Sequence, residues 1–90
     1  MSGVIANPED IERFVQQLKN FTEQMRSGVS NMNGQFSRLG ETWRDQEHSK
    51  YAQEFEQTMR VLQQFIRSSE QQAPFLMRKA QRLREFLNQR

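Results

Sequence analysis

The chain has 90 residues, no cysteine, one histidine and a formal charge of +2, which leaves room for one small domain and excludes disulfide staples and thiol-based metal sites. With 34% hydrophobic residues, 27% charged residues and thirteen glutamines, it is too polar to wrap a layered core around a buried catalytic pocket and suits an elongated helical protein with one narrow apolar seam. No apolar run approaches the roughly 18 residues of a membrane span, and the opening Met-Ser-Gly-Val-Ile-Ala-Asn-Pro-Glu-Asp has neither the basic stretch nor the apolar stretch of a secretory signal peptide.

The first predicted helix covers about residues 8–39. Asn7 is a capping residue, Pro8 suits the first helical position, and Glu9 and Asp10 complement the positive end of the helix dipole. Asn7 and Asp10 have the spacing of a capping box. A heptad file follows: Ile11, Phe14, Leu18, Phe21, Met25, Gly28, Met32, Gln35 and Leu39, read as the intramolecular seam. A second file, Val15, Val29 and Phe36, lies one residue further on and widens the stripe. The stretch from Ser27 to Gly34 is poor in helix formers. The seven-residue spacing of Met25, Met32 and Leu39 nevertheless passes through it, which favours a continuous helix with Gly28 giving a partner close approach. Gly40 reads as the stop.

Residues 40–45 form the expected turn, and the second helix covers about 46–88. Its seam is His48, Ala52, Phe55, Met59, Leu62, Ile66, Ser69, Ala73, Leu76, Ala80, Leu83 and Leu87. Spacings of four and three alternate throughout, as a left-handed supercoiled pair requires. Tyr51, Val61, Phe65, Phe75 and Phe86 flank it. Pro74 lacks the N–H that would bond the carbonyl of Glu70, so a kink or short break is expected there.

So short a connection predicts an antiparallel hairpin. Folding about Trp43 sets Ile11 near Phe75 and leaves residues beyond about 78 as an overhang. That segment is basic: Arg78, Lys79, Arg82, Arg84 and Arg90 stand against Glu85 alone. It reads as a solvated helix end, a protein-docking segment, or a nucleic-acid or membrane contact. The last is disfavoured, since no base-stacking platform or groove-reading motif accompanies the charge. The apolar residues outside the seams, namely Val15, Val29, Phe36, Tyr51, Val61 and Phe65, predict a partner interface. Two hairpins packed as a four-helix-bundle dimer would bury them.

Trp43-Arg44-Asp45, set between two long helical segments near the midpoint and followed by Tyr51 and Phe55, resembles the WXG family. These are the small ESAT-like helical-hairpin proteins of type VII secretion in Gram-positive bacteria and mycobacteria. The resemblance implies an all-α antiparallel two-helix hairpin that dimerises and carries no catalysis. It implies a homodimer, or a heterodimer with a related hairpin, and a secretion ATPase or larger secreted protein as further partners. It also implies residence in the cytoplasm and export without a cleaved signal peptide. The family's Trp-x-Gly reads Trp-x-Asp here, and Asp tolerates turns and caps helices. The family's Tyr-x-x-x-Asp/Glu tail signal has no counterpart, because the one tyrosine, Tyr51, is followed four residues later by Phe55. Members without that signal rely on a partner that has it or are distant relatives outside the system.

Two other readings fit a glutamine-rich hairpin: a needle-type or chaperone-type subunit of a type III system, and a cytoplasmic adaptor using the basic segment. Chemistry is sparse. His48 has no His/Cys neighbours for a metal site and reads as a helix-start residue. Glu54 and Glu56, two apart on a helix, cannot face each other. No phosphate loop or nucleophile motif occurs. No cofactor, metal or small-molecule substrate is expected. Trp43 and Arg44 either close the hairpin end or form a recognition surface with Asp45.

Overall fold

The computed structural model describes residues 6–89. It consists of two helices, α1 (Pro8–Leu39) and α2 (Gln46–Asn88), and no strand occurs among the described residues. The chain is an all-α helical hairpin. At the start of α1, Asn7 Oδ1 accepts from the Glu9 amide at 2.8 Å, and the Asn7 carbonyl accepts from the Asp10 and Ile11 amides. Pro8 occupies the first helical position, where a missing N–H costs nothing. Asp10 does not reach back to complete a capping box; its carboxylate pairs with Arg13.

α1 runs unbroken through Ser27–Gly34. A Cβ at Gly28 or Gly34 would meet nothing within 4 Å, so neither glycine serves a close approach inside the hairpin. α2 likewise continues through Pro74. The helix loses one hydrogen bond there, but the turns on either side keep theirs.

Contacts divide the chain into two compact units, the inner one Glu23–Arg67 and the outer one Met1–Thr22 with Ser68–Arg90. The inner unit buries Val29, Phe55 and Ile66. The outer unit buries Val15 and Thr22 from α1 with Ser69, Ala73 and Ala80 from α2. The buried Thr22 hydroxyl donates to the carbonyl of Leu18 at 2.8 Å, which satisfies it without a partner from the other helix.

The seam of α1 is not the one that its bulkiest residues suggest. Phe14 and Phe21 are 56% and 50% exposed, and Met32 and Leu39 are exposed as well. Ile11, Leu18 and Met25 of the expected seam are partly buried, and the file one residue on takes the places expected of Phe14 and Phe21. Val15 is 2% exposed and Val29 8%, with Phe36 partly buried. Val15 and Val29 therefore belong to the hairpin core and are not a partner surface, while Phe36 is only partly buried. The physical reason lies on α2. In the outer unit it offers Ser69, Ala73 and Ala80, whose small side chains let helices approach closely. Val15 and Thr22 fit such a contact and a phenylalanine ring does not. Val15→Ala should accordingly lower stability by about 1.5–2.5 kcal/mol, while the exposed Gln17→Ala changes it by less than about 0.5 kcal/mol; urea melts of the two variants decide this.

The basic overhang also contracts. Ala80 is fully buried, and Arg84 reaches Glu12 Oε1 at 2.6 Å and Glu9 Oε2 at 3.4 Å. Side chains lean toward the N-terminus of their own helix. Arg84 thus reaches back toward the turn while Glu12 reaches away from it, and α2 is covered further out than a fold about Trp43 gives. The hydrogen bond and charge of Glu12, with Glu9 adding less, hold the guanidinium above its ordinary range.

Candidate recognition site at the hairpin turn

The end of α1 closes by tightening its last hydrogen bonds. The Gly40 amide donates to the Phe36 carbonyl, Glu41 to Arg38, and both Thr42 and Trp43 to Leu39. None of the described glycines has a positive φ, so Gly40 does not stop the helix through a left-handed backbone. A Cβ there would stand 3.4 Å from Ser37 O and 3.6 Å from His48 Nε2, which is ordinary contact. Arg44 folds back over this end, its Nε donating to the Gly40 carbonyl at 3.2 Å. That places a cation at the negative end of the α1 dipole.

Asp45 organises the other side of the turn. Its Oδ1 accepts from the Glu47 amide at 3.0 Å and the His48 amide at 3.1 Å, an N-cap that satisfies the first donors of α2. The same oxygen accepts from Trp43 Nε1 at 2.9 Å. One carboxylate therefore starts α2 and orients the indole. Asp45→Ala should cost about 1–2 kcal/mol through the lost cap and indole bond, and should lower the steady-state anisotropy of Trp43 fluorescence. An unchanged anisotropy would show that the indole is held by packing alone.

The indole lies against an aromatic stack. Trp43 meets His48 edge-on with centroids 5.1 Å apart. His48 stacks on Phe36 at 5.1 Å with an interplanar angle of 3°, and Phe36 stacks on Phe55 at 4.5 Å. Tyr51 lies tilted against Phe36, Trp43 and Phe55 at 5.8, 6.3 and 6.2 Å. His48 is thus an aromatic plate within a hydrophobic end-cap. Its Nε2 is enclosed with no hydrogen-bond partner. Among the described residues no group of His, Cys, Asp and Glu could hold a metal, and no helix is long and apolar enough to cross a membrane.

Of the predicted site residues, Trp43, Arg44 and Asp45 come together at the turn, with Phe36 and Tyr51 in the same cluster. Val61 and Phe65 are exposed on α2. Arg78, Lys79 and Arg82 are exposed too, whereas Arg84 is held by Glu9 and Glu12. Sequence reasoning missed two features. The Asp45–Trp43 bond was signalled by an N-capping residue two positions after an indole donor. The Arg84 clamp had no signal without the register of the two helices.

Residues 3–86 match the family described as proteins of 100 residues with WXG, WXG100. The chain belongs to the WXG100 family. Solved structures agree with this WXG100 assignment. A proline-to-alanine variant of the secreted protein EsxB from Bacillus anthracis is 27% identical, with a TM-score of 0.83 over 94% of this chain and 96% of that one. Selenomethionine-labelled EsxB is 27% identical with a TM-score of 0.79 over 96% and 98%, and wild-type EsxB gives 0.78 over 91% and 88% at the same identity. No curated protein sequence matches the chain. In this WXG100 chain Asp45 stands where the family's name has glycine, and it supplies the cap and the indole acceptor that a glycine lacks.

Proposed function

We propose that the chain is a secreted, non-catalytic hairpin of a type VII system, that it is exported without a cleaved signal peptide, and that it works as a pair with a second hairpin. The observation that carries the reading is the end-to-end likeness to EsxB, a secreted protein. Pairing is supported by the apolar side chains that the hairpin leaves on its surface. Phe14 and Phe21 stand out from α1, and Tyr51, Val61 and Phe65 from α2. On so polar a chain, this much exposed aromatic surface favours association. The second hairpin is another copy or a related chain. Trp43, Arg44 and Asp45 form the end of the hairpin offered to a secretion ATPase or a larger secreted protein.

Two measurements test this. Light scattering after size exclusion should give about twice the monomer mass of 10.8 kDa; a monodisperse monomer at high concentration would rule out self-pairing, and filaments would favour a needle-type subunit. A tagged chain expressed in a Gram-positive host should reach the medium only when the membrane ATPase of the type VII system is intact. Equal release from both strains would rule out that route.

A further inference from the structure

The outer unit contains a charge imbalance with a definite shape. Its described acidic side chains are all engaged: Glu9 and Glu12 by Arg84, Asp10 by Arg13, Glu85 by Gln81, and Glu70 by a further contact. Arg78, Lys79 and Arg82, all exposed, have no acidic partner among the described residues. They are not scattered. Phe75, Lys79, Arg82 and Phe86 follow one another at intervals of four, three and four, so they share one face of α2, with Arg78 at its edge. Phe75 is 59% exposed and Phe86 64%, and the two rings stand about 16 Å apart along the helix. The buried Ala73 and Ala80 occupy a different face.

We propose that the face formed by Phe75, Lys79, Arg82 and Phe86, with Arg78 beside it, is a docking surface for an acidic amphipathic helix of another protein. Charge complementarity selects an acidic occupant. The order of the residues selects a helix. Here the cations lie in line between two aromatic anchors three turns apart, and a partner helix with apolar residues at matching intervals and carboxylates between them meets both features. A helix that lies on a membrane instead gathers its apolar residues on one face and its cations on the opposite one, and here the apolar seam of α2 is already covered by α1. In a second copy, Glu9, Asp10 and Glu12 of the outer unit are already held in ion pairs. The face shares no residue with the pairing surface proposed above, whose side chains are Phe14 and Phe21 on α1 and Tyr51, Val61 and Phe65 on α2.

The test uses the full chain and a fluorescent synthetic helix of about 18 residues, with leucines at intervals of four, three and four and glutamates between and beside them. A control peptide has lysine for each glutamate, and phosphatidylserine–phosphatidylcholine vesicles form a third arm. The glutamate peptide should bind at least tenfold more tightly than the lysine peptide. Raising salt from about 50 to 500 mM should weaken it at least tenfold, as expected of exposed charges. Lys79→Glu combined with Arg82→Glu should abolish binding, and Phe75→Ala combined with Phe86→Ala should weaken it about tenfold, with the helical circular dichroism signal retained. Equal binding of the two peptides, or binding that survives the charge reversal, overturns the proposal. So does binding to vesicles without binding to the glutamate peptide. The mass of the charge-reversed chain by light scattering separates this surface from the pairing interface. An unchanged oligomeric state supports the proposal, and loss of self-association overturns it by assigning the face to hairpin pairing.

Discussion

Phe55→Ala is expected to destabilise the protein by about 3–5 kcal/mol, the range for emptying a large buried aromatic position. Phe55 is 8% exposed and stacks on Phe36 with centroids 4.5 Å apart, with Tyr51 tilted against both rings. Removing the ring takes away the plate against which α1 and α2 meet in the inner unit and strands Phe36 beside a void. The groove lined by Asn33, Phe36, Phe55, Met59 and Gln63 already opens on this position, so water would enter the space rather than the helices closing it. Gln53→Ala, on the exposed side of the same turn, should change little. Urea melts at low protein concentration compare the two. A loss below about 1 kcal/mol for Phe55→Ala would mean that the stack contributes contact without stability.

Trp43→Ala should lower stability by about 3 kcal/mol, the lower end of the range for large aromatic truncations, since the indole is only partly buried. Its edge-on contact with His48 and the bond to Asp45 are lost together. Trp43→Phe separates the two contributions: the ring remains, the N–H donor goes, and the expected cost is about 1 kcal/mol. Trp43 is the only tryptophan, so its emission reports this site alone. Emission in the free protein should be blue-shifted and incompletely quenched by iodide. A fully quenched, red emission together with an unchanged melt would assign Trp43 to partner recognition instead of closure of the hairpin end.

Much of this arrangement can be read without coordinates. Asn7 before Pro8 marks a helix start because the chemistry of capping is local. The alternation of four and three along α2 marks a helix face because Cβ direction follows from backbone periodicity. The turn is legible for the same reason, since Trp43-Arg44-Asp45 falls where neither apolar file continues. α1 is different. It carries two apolar files one residue apart, Phe14–Phe21 and Val15–Val29, with the same seven-residue repeat. Periodicity cannot choose between files that share a period, and weighing them by hydrophobic bulk favours the wrong one.

The candidate site divides along the same line. That Asp45 would cap α2 follows from its type and place. That the same oxygen would also hold the indole N–H depends on where the turn brings Trp43. Arg84 reads as one of several cations in a basic tail, yet the fold pairs it with Glu9 and Glu12, more than seventy positions away in the chain. Arg78, Lys79 and Arg82 then stand apart from it as a surface of their own.

The sequence by itself determined the two helices, their caps, the turn and membership of a hairpin family, because capping, periodicity and turn chemistry act over a few residues. Only the tertiary structure decided which face of α1 is buried and that Arg84 has acidic partners while Arg78, Lys79 and Arg82 have none among the described residues. Both depend on the approach and register of the two helices: small residues on α2 admit Val15 and Thr22 and turn Phe14 and Phe21 outward, and the lean of side chains along antiparallel helices carries Arg84 to Glu12.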